Sequence, residues 1–345
     1  MVKFCCILAL AFSLAASADD ITPRVGTIEI YGVHKVSVEK IRKALGVEEG
    51  GPLPSREDAE DRIDKISGVL ASRIEAACCD NRRTILYVGV QEKDAPHFNF
   101  HPAPTGDVTL PDQIVDQYHT FLDTVSESIH GGPADEDLTN GYSLMADSAC
   151  RQLQMDFISI AEQNLNLLDR VIRESSDPEQ RIIAAYMLQY GPRTPHAAKI
   201  MLDALQYGLQ DQEDSVRQNS LRSLQAIAVG AKLHQEQQIH IEPTWFVELM
   251  NSVVWSDRHN ASLVLVDLTE SRDPDTMALL RQRALDSVIE MARWHDLEHA
   301  LPAFILAGRL AGLDEKQIQD AWVAGNREPV IEKALHPNKK IKIGD

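Results

Sequence analysis

Near the C-terminal end the chain reads His295-Asp-Leu-Glu-His299. On a helix, two histidines four apart share one face and can hold one metal ion, with Glu298 placed to activate a water as general base. The chemistry would be metal-assisted hydrolysis. Such a site takes its third ligand from a Glu far downstream and sits in a sheet-containing domain. Here only Glu315, Glu328 and Glu332 follow, all close by, and no strand pattern appears after Val90. The pair therefore reads as two surface histidines at a turn between helices. Asn260-Ala261-Ser262 is a glycosylation sequon, but its serine falls on a predicted buried face. No G-x-S-x-G, phosphate-binding glycine loop or C-x-x-C occurs. No catalytic, cofactor-binding or metal-binding residue is assigned, and residues that bind a partner cannot be named from the sequence.

The elements that carry this stretch repeat. Arg181 is followed by Ala185 and Leu188 at four and seven residues, Arg217 by Leu221 and Leu224, and Arg258 by Ser262 and Leu265. His299, standing where the Arg would be, is followed by Ala303 and Leu306. The starts lie 36, 41 and 41 residues apart. Helical spacing inside a period of about 40 marks stacked two-helix units. Asp177-Pro178 and Asp273-Pro274 are N-caps followed by proline at the first helical position, and Asp314 with Gln317 forms a capping box. Trp245, Trp255, Trp294 and Trp322 recur through the units and read as repeat core.

This part resembles HEAT repeats, in Asp177-Pro178 with Arg181, Ala184 and Leu188, and in Asp214 with Val216-Arg217 and Leu224. The resemblance covers Asp147 to Leu335. It implies a structural ladder of Asp and Arg along the turns, carried here by Asp177, Arg181, Asp214 and Arg217. The spacing differs at Asp257-Arg258, and His299 has no place in the ladder. A ring of helices or an irregular bundle is the competing architecture.

Ahead of the helices the pattern is mixed. Val25 to Tyr31 alternates as a half-buried strand. Ser37 and Ser55 cap two short helices with faces Val38, Ile41, Leu45 and Ala59, Ile63, Ile66. Ser72 to Cys78 and Thr84 to Val90 are two further strands, turned at Asn81-Arg82. The order strand, helix, helix, strand, strand resembles a POTRA domain. The matching residues are Ile28-Glu29-Ile30, Gly32, Val36-Ser37, Ile41, Leu45, Gly50, Gly68, Leu86, Val88, Val90 and Glu92. The match covers Arg24 to Lys93. It implies work outside the cytoplasm in polypeptide handling, beside a membrane barrel or anchor that is not read in this chain. It also implies a sheet edge that accepts a partner strand.

Met1 to Ala18 has a basic start at Lys3, an apolar run from Phe4 to Ala15 and the cleavage pattern Ala16-Ser17-Ala18. It reads as a secretory signal peptide, which gives a periplasmic or extracellular protein beginning near Asp19. No later stretch is long enough to span a bilayer. The net charge is −18, and an acidic surface argues against nucleic acid and anionic membranes. Cys78, Cys79 and Cys150 remain after cleavage, enough for one bridge whose pairing stays open.

The expected organisation is α+β then all-α. A signal peptide (1–18) precedes a βααββ POTRA-like domain (24–94), a proline-rich linker (95–110), a HEAT-like helical repeat array (111–335) and a flexible tail (336–345). The first domain and the array are expected to fold separately. The expected function is a non-enzymatic scaffold for an exported or envelope protein or peptide, with no cofactor. The rivals are an enzyme, a lyase or hydrolase with its site on the array, and a structural envelope component.

Overall fold

The computed structural model describes residues 23–80, 83–131, 136–139, 141–234 and 239–338. The expected signal peptide (1–18), the expected turn at Asn81-Arg82 and residues 339–345 of the expected tail lie outside them.

Strand β1 (Val25–Tyr31), helices α1 (Val38–Leu45) and α2 (Arg56–Asp64), then strands β2 (Val69–Asp80) and β3 (Arg83–Glu92) follow in the expected order. Ser37 caps α1 by accepting from the Lys40 amide, and Ser55 caps α2 through Asp58. The sheet order is β1-β3-β2, with β1 parallel and β2 antiparallel to the central β3. Ile28, Val88 and Val90 pack on Ile41, Leu45 and Ile63 of the two helices. The Glu92 carboxylate accepts the amides of His34, Lys35 and Val36 at 2.8–3.0 Å, tying the β1–α1 turn to the end of β3. Burial acts to raise its pKa, but those amides outweigh burial and hold it below the ordinary value.

The chain then becomes helical: α3 (Asp112–Gly131), α4 (Ser148–Glu174), α5 (Pro178–Met187), α6 (Pro195–Gly208), α7 (Asp214–His234), α8 (Thr244–Leu249), α9 (Trp255–Leu268), α10 (Pro274–Ala292), α11 (Leu297–Leu310), α12 (Glu315–Val323) and α13 (Glu328–Leu335). The short hairpin Glu136–Asp137 with Leu144–Met145 precedes α4. Helix α4 is interrupted at Asn164, whose side-chain amide donates to the Ile160 carbonyl. Helices α5, α7, α9 and α11 pack in succession as one row, while α6, α8 and α10 pack behind it. These are the helices that carry Arg181, Arg217, Arg258 and His299. Leu188, Leu224, Leu265 and Leu306, seven residues after each, are all fully buried.

The sheet does not stand apart. Strand β3 is buried on both faces: Leu86 and Val88 face α1 and α2, while Ile85 and Tyr87 enter the core of the array together with Tyr31 and Ala77. Gly89 lies so close to the Val253 carbonyl that a Cβ has no room. Tyr31, Ala77, Ile85 and Tyr87 thus join the sheet to the array in one hydrophobic cluster.

Residues 95–110 are the connection, but not a free tether. Phe98 and Leu110 are buried, Phe98 lies edge-on to Trp245, and Phe100 lies under the Arg217 guanidinium at 4.3 Å. His101 donates its amide to Gln210 and stacks on Tyr207. Gly106 bridges to Glu174 and Ser176, and Leu110 donates to Gln180 Oε1. The segment is a strap laid across the turns of the array.

Cys78 is disulfide-bonded, while Cys150 is free and buried in α4. Cys150 is therefore not its partner. No described helix is long and apolar enough to cross a membrane.

Candidate functional site

The His295–His299 stretch does not form a metal face. Asp296 is the N-cap of α11 and accepts the His299 amide at 2.8 Å, so His295 lies outside the helix. Its imidazole is exposed, and its backbone amide donates to Glu29 of β1. His299 instead turns inward, with Nδ1 at 2.7 Å from the Tyr87 hydroxyl. Among the described residues no group of three His, Cys, Asp or Glu is placed around one point.

What lies at that turn is the seam between sheet and array. Tyr87 stacks on Trp255, ring centroids 4.6 Å apart and 15° from parallel, and Trp255 stacks on His259. His299 meets His259 edge to face at 5.1 Å, and Trp294 packs on Tyr31 and Tyr87. His259 Nδ1 and the indole nitrogens of Trp255 and Trp294 are buried without a hydrogen-bond partner. Burial, with His299 beside it, pulls the His259 pKa down to about 4, so the ring is neutral near pH 7. Burial pushes the Tyr87 hydroxyl well up. Two neutral imidazoles among indoles and phenols form a packing cluster, with no charged group aimed at an open space.

The sheet also reaches the array through polar contacts. Tyr31 donates its hydroxyl to the Val253 carbonyl at 2.8 Å. Glu75 accepts the amide and hydroxyl of Ser256 in the first turn of α9, a helix with no side-chain cap of its own. Gly32 donates to Glu290, which also takes Arg258 at 2.9 Å.

That last pair is one rung of a buried ladder. Arg181 grips Asp211 with two bonds of 2.7 and 2.9 Å, both side chains buried. Arg217 pairs with the fully buried Asp257 at 2.8 Å and with Asp214 at 2.7 Å. The ladder exists: Asp214 meets Arg217 as expected, but the rungs between units use other partners. Asp177 only caps α5, Asp211 takes Arg181, and Asp257 is the main partner of Arg217. His299 is outside it, as expected, and Arg309 lower on α11 pairs with Glu315 and Thr269. Each guanidinium spans successive turns, so the ladder fixes one unit against the next. Ser262 of the sequon is fully buried and donates to the His259 carbonyl, and the four tryptophans pack against the core.

A cleft of about 660 Å³ lies elsewhere, between one face of α6 and Ile239, His240 and Glu242. Pro195, Ala198, Leu202 and Gln206 line it at helical spacing, with Ile239 and His240 opposite and Arg193 at the end. A smaller cavity of about 180 Å³ sits at the seam beside His34, Gln91, Arg258 and Glu290.

No protein-family model matches the chain, and no curated protein matches it. Among solved structures, a designed armadillo repeat protein is similar over 56% of this chain and 95% of its own, at 15% identity and a TM-score of 0.34.

Proposed function

We propose that this protein is a non-enzymatic scaffold, exported through its N-terminal segment, in which a POTRA-like sheet is locked onto a HEAT-like array that binds a protein or peptide partner. The observation that carries the reading is the ladder. Its buried cations, Arg181, Arg217 and Arg258, are spent on holding successive units in register. Stacked units of this kind present an extended surface that grips a chain without a reacting group. The net charge of −18 favours a basic partner and salt-sensitive association.

The partner belongs on the array rather than on the edge of β2. The Ile74 amide already donates to Glu60 Oε1 of α2 at 2.7 Å, which blocks strand addition at the middle of that edge.

The test is a pull-down from the exported protein fraction with the chain from Asp19 onward, at low and high salt. One discrete polypeptide should be retained, and less of it at high salt. Nothing retained at any salt, together with a stoichiometric cofactor or metal in the purified protein, would overturn the scaffold and favour an enzyme. N-terminal sequencing of the exported chain checks the export half of the reading, with Asp19 expected first.

A further inference from the structure

The array already holds an extended peptide, and it is a piece of this chain. Residues 95–105 form neither helix nor strand and run across the ends of α8, α7 and α6. Their side chains alternate as an extended segment on a surface does: Phe98 is buried, Asn99 is exposed and Phe100 is half-buried. Phe98 meets Trp245 edge-on with ring centroids 6.5 Å apart, Phe100 lies 4.3 Å from the Arg217 guanidinium, and His101 stacks on Tyr207 at 4.2 Å. Each ring takes its contact from a different helix of the stack. Pockets for alternate side chains, set along successive elements, are a means of gripping an extended chain.

The middle of the strap is held by side chains rather than by backbone. Among the described residues no backbone group from Pro96 to Phe100 hydrogen-bonds to the array. The next residue is the first that does: the His101 amide donates to the Gln210 carbonyl at 2.9 Å, and Gln212 Nε2 donates to the His101 carbonyl at 3.3 Å. The firm ties lie at either end. Ala95 donates to Glu92 in β3, and Gly106 bonds to Glu174 and Ser176, both at 2.8 Å. The stretch between can therefore be replaced while both ends stay fastened.

The strap is not the best occupant of this surface. His101 Nε2 is buried without a hydrogen-bond partner, a cost that a phenyl ring stacked on Tyr207 would not carry. Arg217 sets the chemistry of the middle pocket. Asp257 and Asp214 already satisfy its charge, so its open face asks for an aromatic ring and not for an acid.

We propose that the surface under the strap is a peptide-binding groove, closed in cis by residues 97–101, and that the partner enters it with an extended segment carrying aromatic residues in the places of Phe98, Phe100 and His101. This rests on the scaffold reading and names the segment of the partner that is recognised. Tethered at both ends, the strap competes at an effective concentration on the order of millimolar. A partner must bring contacts beyond the groove to displace it.

The test uses the whole chain from Asp19 and fluorescence anisotropy of a labelled peptide copying residues 95–105. In the double variant Phe98→Ser, Phe100→Ser the strap loses its anchors, and the peptide should bind this variant at least about tenfold tighter than the parent. The same peptide with serine at both phenylalanine places should bind neither protein. One with phenylalanine in the place of His101 should bind the variant several-fold tighter than the copy. Circular dichroism checks that the variant is folded. The parent gives a reading that needs no variant: the phenylalanine peptide at millimolar concentration should speed hydrogen exchange at the His101 amide and leave α7 unchanged. Equal binding of the copy to parent and folded variant, equal binding of the serine peptide and the copy, or unaltered exchange at His101 overturns the proposal. In the pull-down the folded variant should retain more partner than the parent. A partner retained by the parent but no better by the variant would leave the scaffold standing while the groove assignment fell.

Discussion

Glu75 in β2 caps a helix 181 residues further on, accepting the Ser256 amide at 3.1 Å and its hydroxyl at 2.7 Å. The N-cap residue of α9, Val254, has no side chain that can do this. Burial raises the Glu75 pKa, and the Ser256 bonds oppose the rise. Glu75→Ala leaves the α9 amides unpaired and should cost about 1–2 kcal/mol, the usual worth of a lost cap. Glu75→Gln keeps an acceptor and should cost less. Urea unfolding of both variants decides it, and equal stability of all three proteins would show that α9 needs no cap from the sheet.

The ladder gives a larger effect. Arg217 and Asp257 are both fully buried, so removing one strands the other's charge. Asp257→Ala should destabilise by about 3–5 kcal/mol. Asp257→Leu combined with Arg217→Met removes both charges and should cost clearly less than the sum of the single changes. Additive losses in that double-mutant cycle would mean the pair is not coupled.

Stability should fall in acid through His259. Its folded pKa of about 4 lies below the unfolded value of 6.5, so the unfolded chain takes up the proton first. The stability gained from keeping it neutral is intact above about pH 6.5, is lost as pH falls toward about 4, and amounts to about 3 kcal/mol at most. The facing groups are His299, Asp296 and Trp255. Raised carboxylates such as Glu75 and Glu29 act in the opposite sense, so the comparison must be made with His259→Phe. Urea midpoints between pH 7 and 4.5 should drop more steeply in the parent than in that variant, and parallel curves would exclude His259 as the source.

Leu188, Leu224 and Leu265 are buried completely, one in each unit. Truncating any of them to Ala should cost about 2–5 kcal/mol in the same unfolding measurement. A loss under about 0.5 kcal/mol at all three would mean that these side chains do not hold the units together.

The periodic features were legible because they are local. Arg181, Arg217 and Arg258 with their leucines at seven residues mark one helical face, and that face is buried. Ser37, Ser55 and Asp314 cap helices that begin next to them. Asp214 beside Arg217 was legible too, but the long-range ladder partners were not. Asp177 and Asp214 lie within a turn of an arginine, but Arg181 and Arg217 reach 30 and 40 residues ahead to Asp211 and Asp257. Local spacing carries no sign of such a choice. The docking of the sheet did leave a trace: Ile85, Leu86, Tyr87 and Val88 run without a polar break, the mark of a strand covered on both sides. His295 and His299 were both expected at the surface, yet only His295 is, and the two share no helical face for a simple reason. Asp296 between them is a cap, so the helix begins after the first histidine.

The strap and sheet have a consequence for the order in which the molecule can be made. Tyr31 waits for Val253, 222 residues later, and Glu29 for the amide of His295, 266 residues later. Strand β1 thus finds part of its packing at turns made more than two hundred residues later. The connecting strap runs back past Trp245, Phe100 under Arg217, Gln210 and Glu174, crossing the stack against the direction of synthesis. A simple stack can settle unit by unit as it emerges, but this one is closed by a cross-tie that can be fastened only after His295 has been made. Once fastened, it resists stretching of the stack, because the sheet and the Gly106 bridge hold opposite ends of the same span.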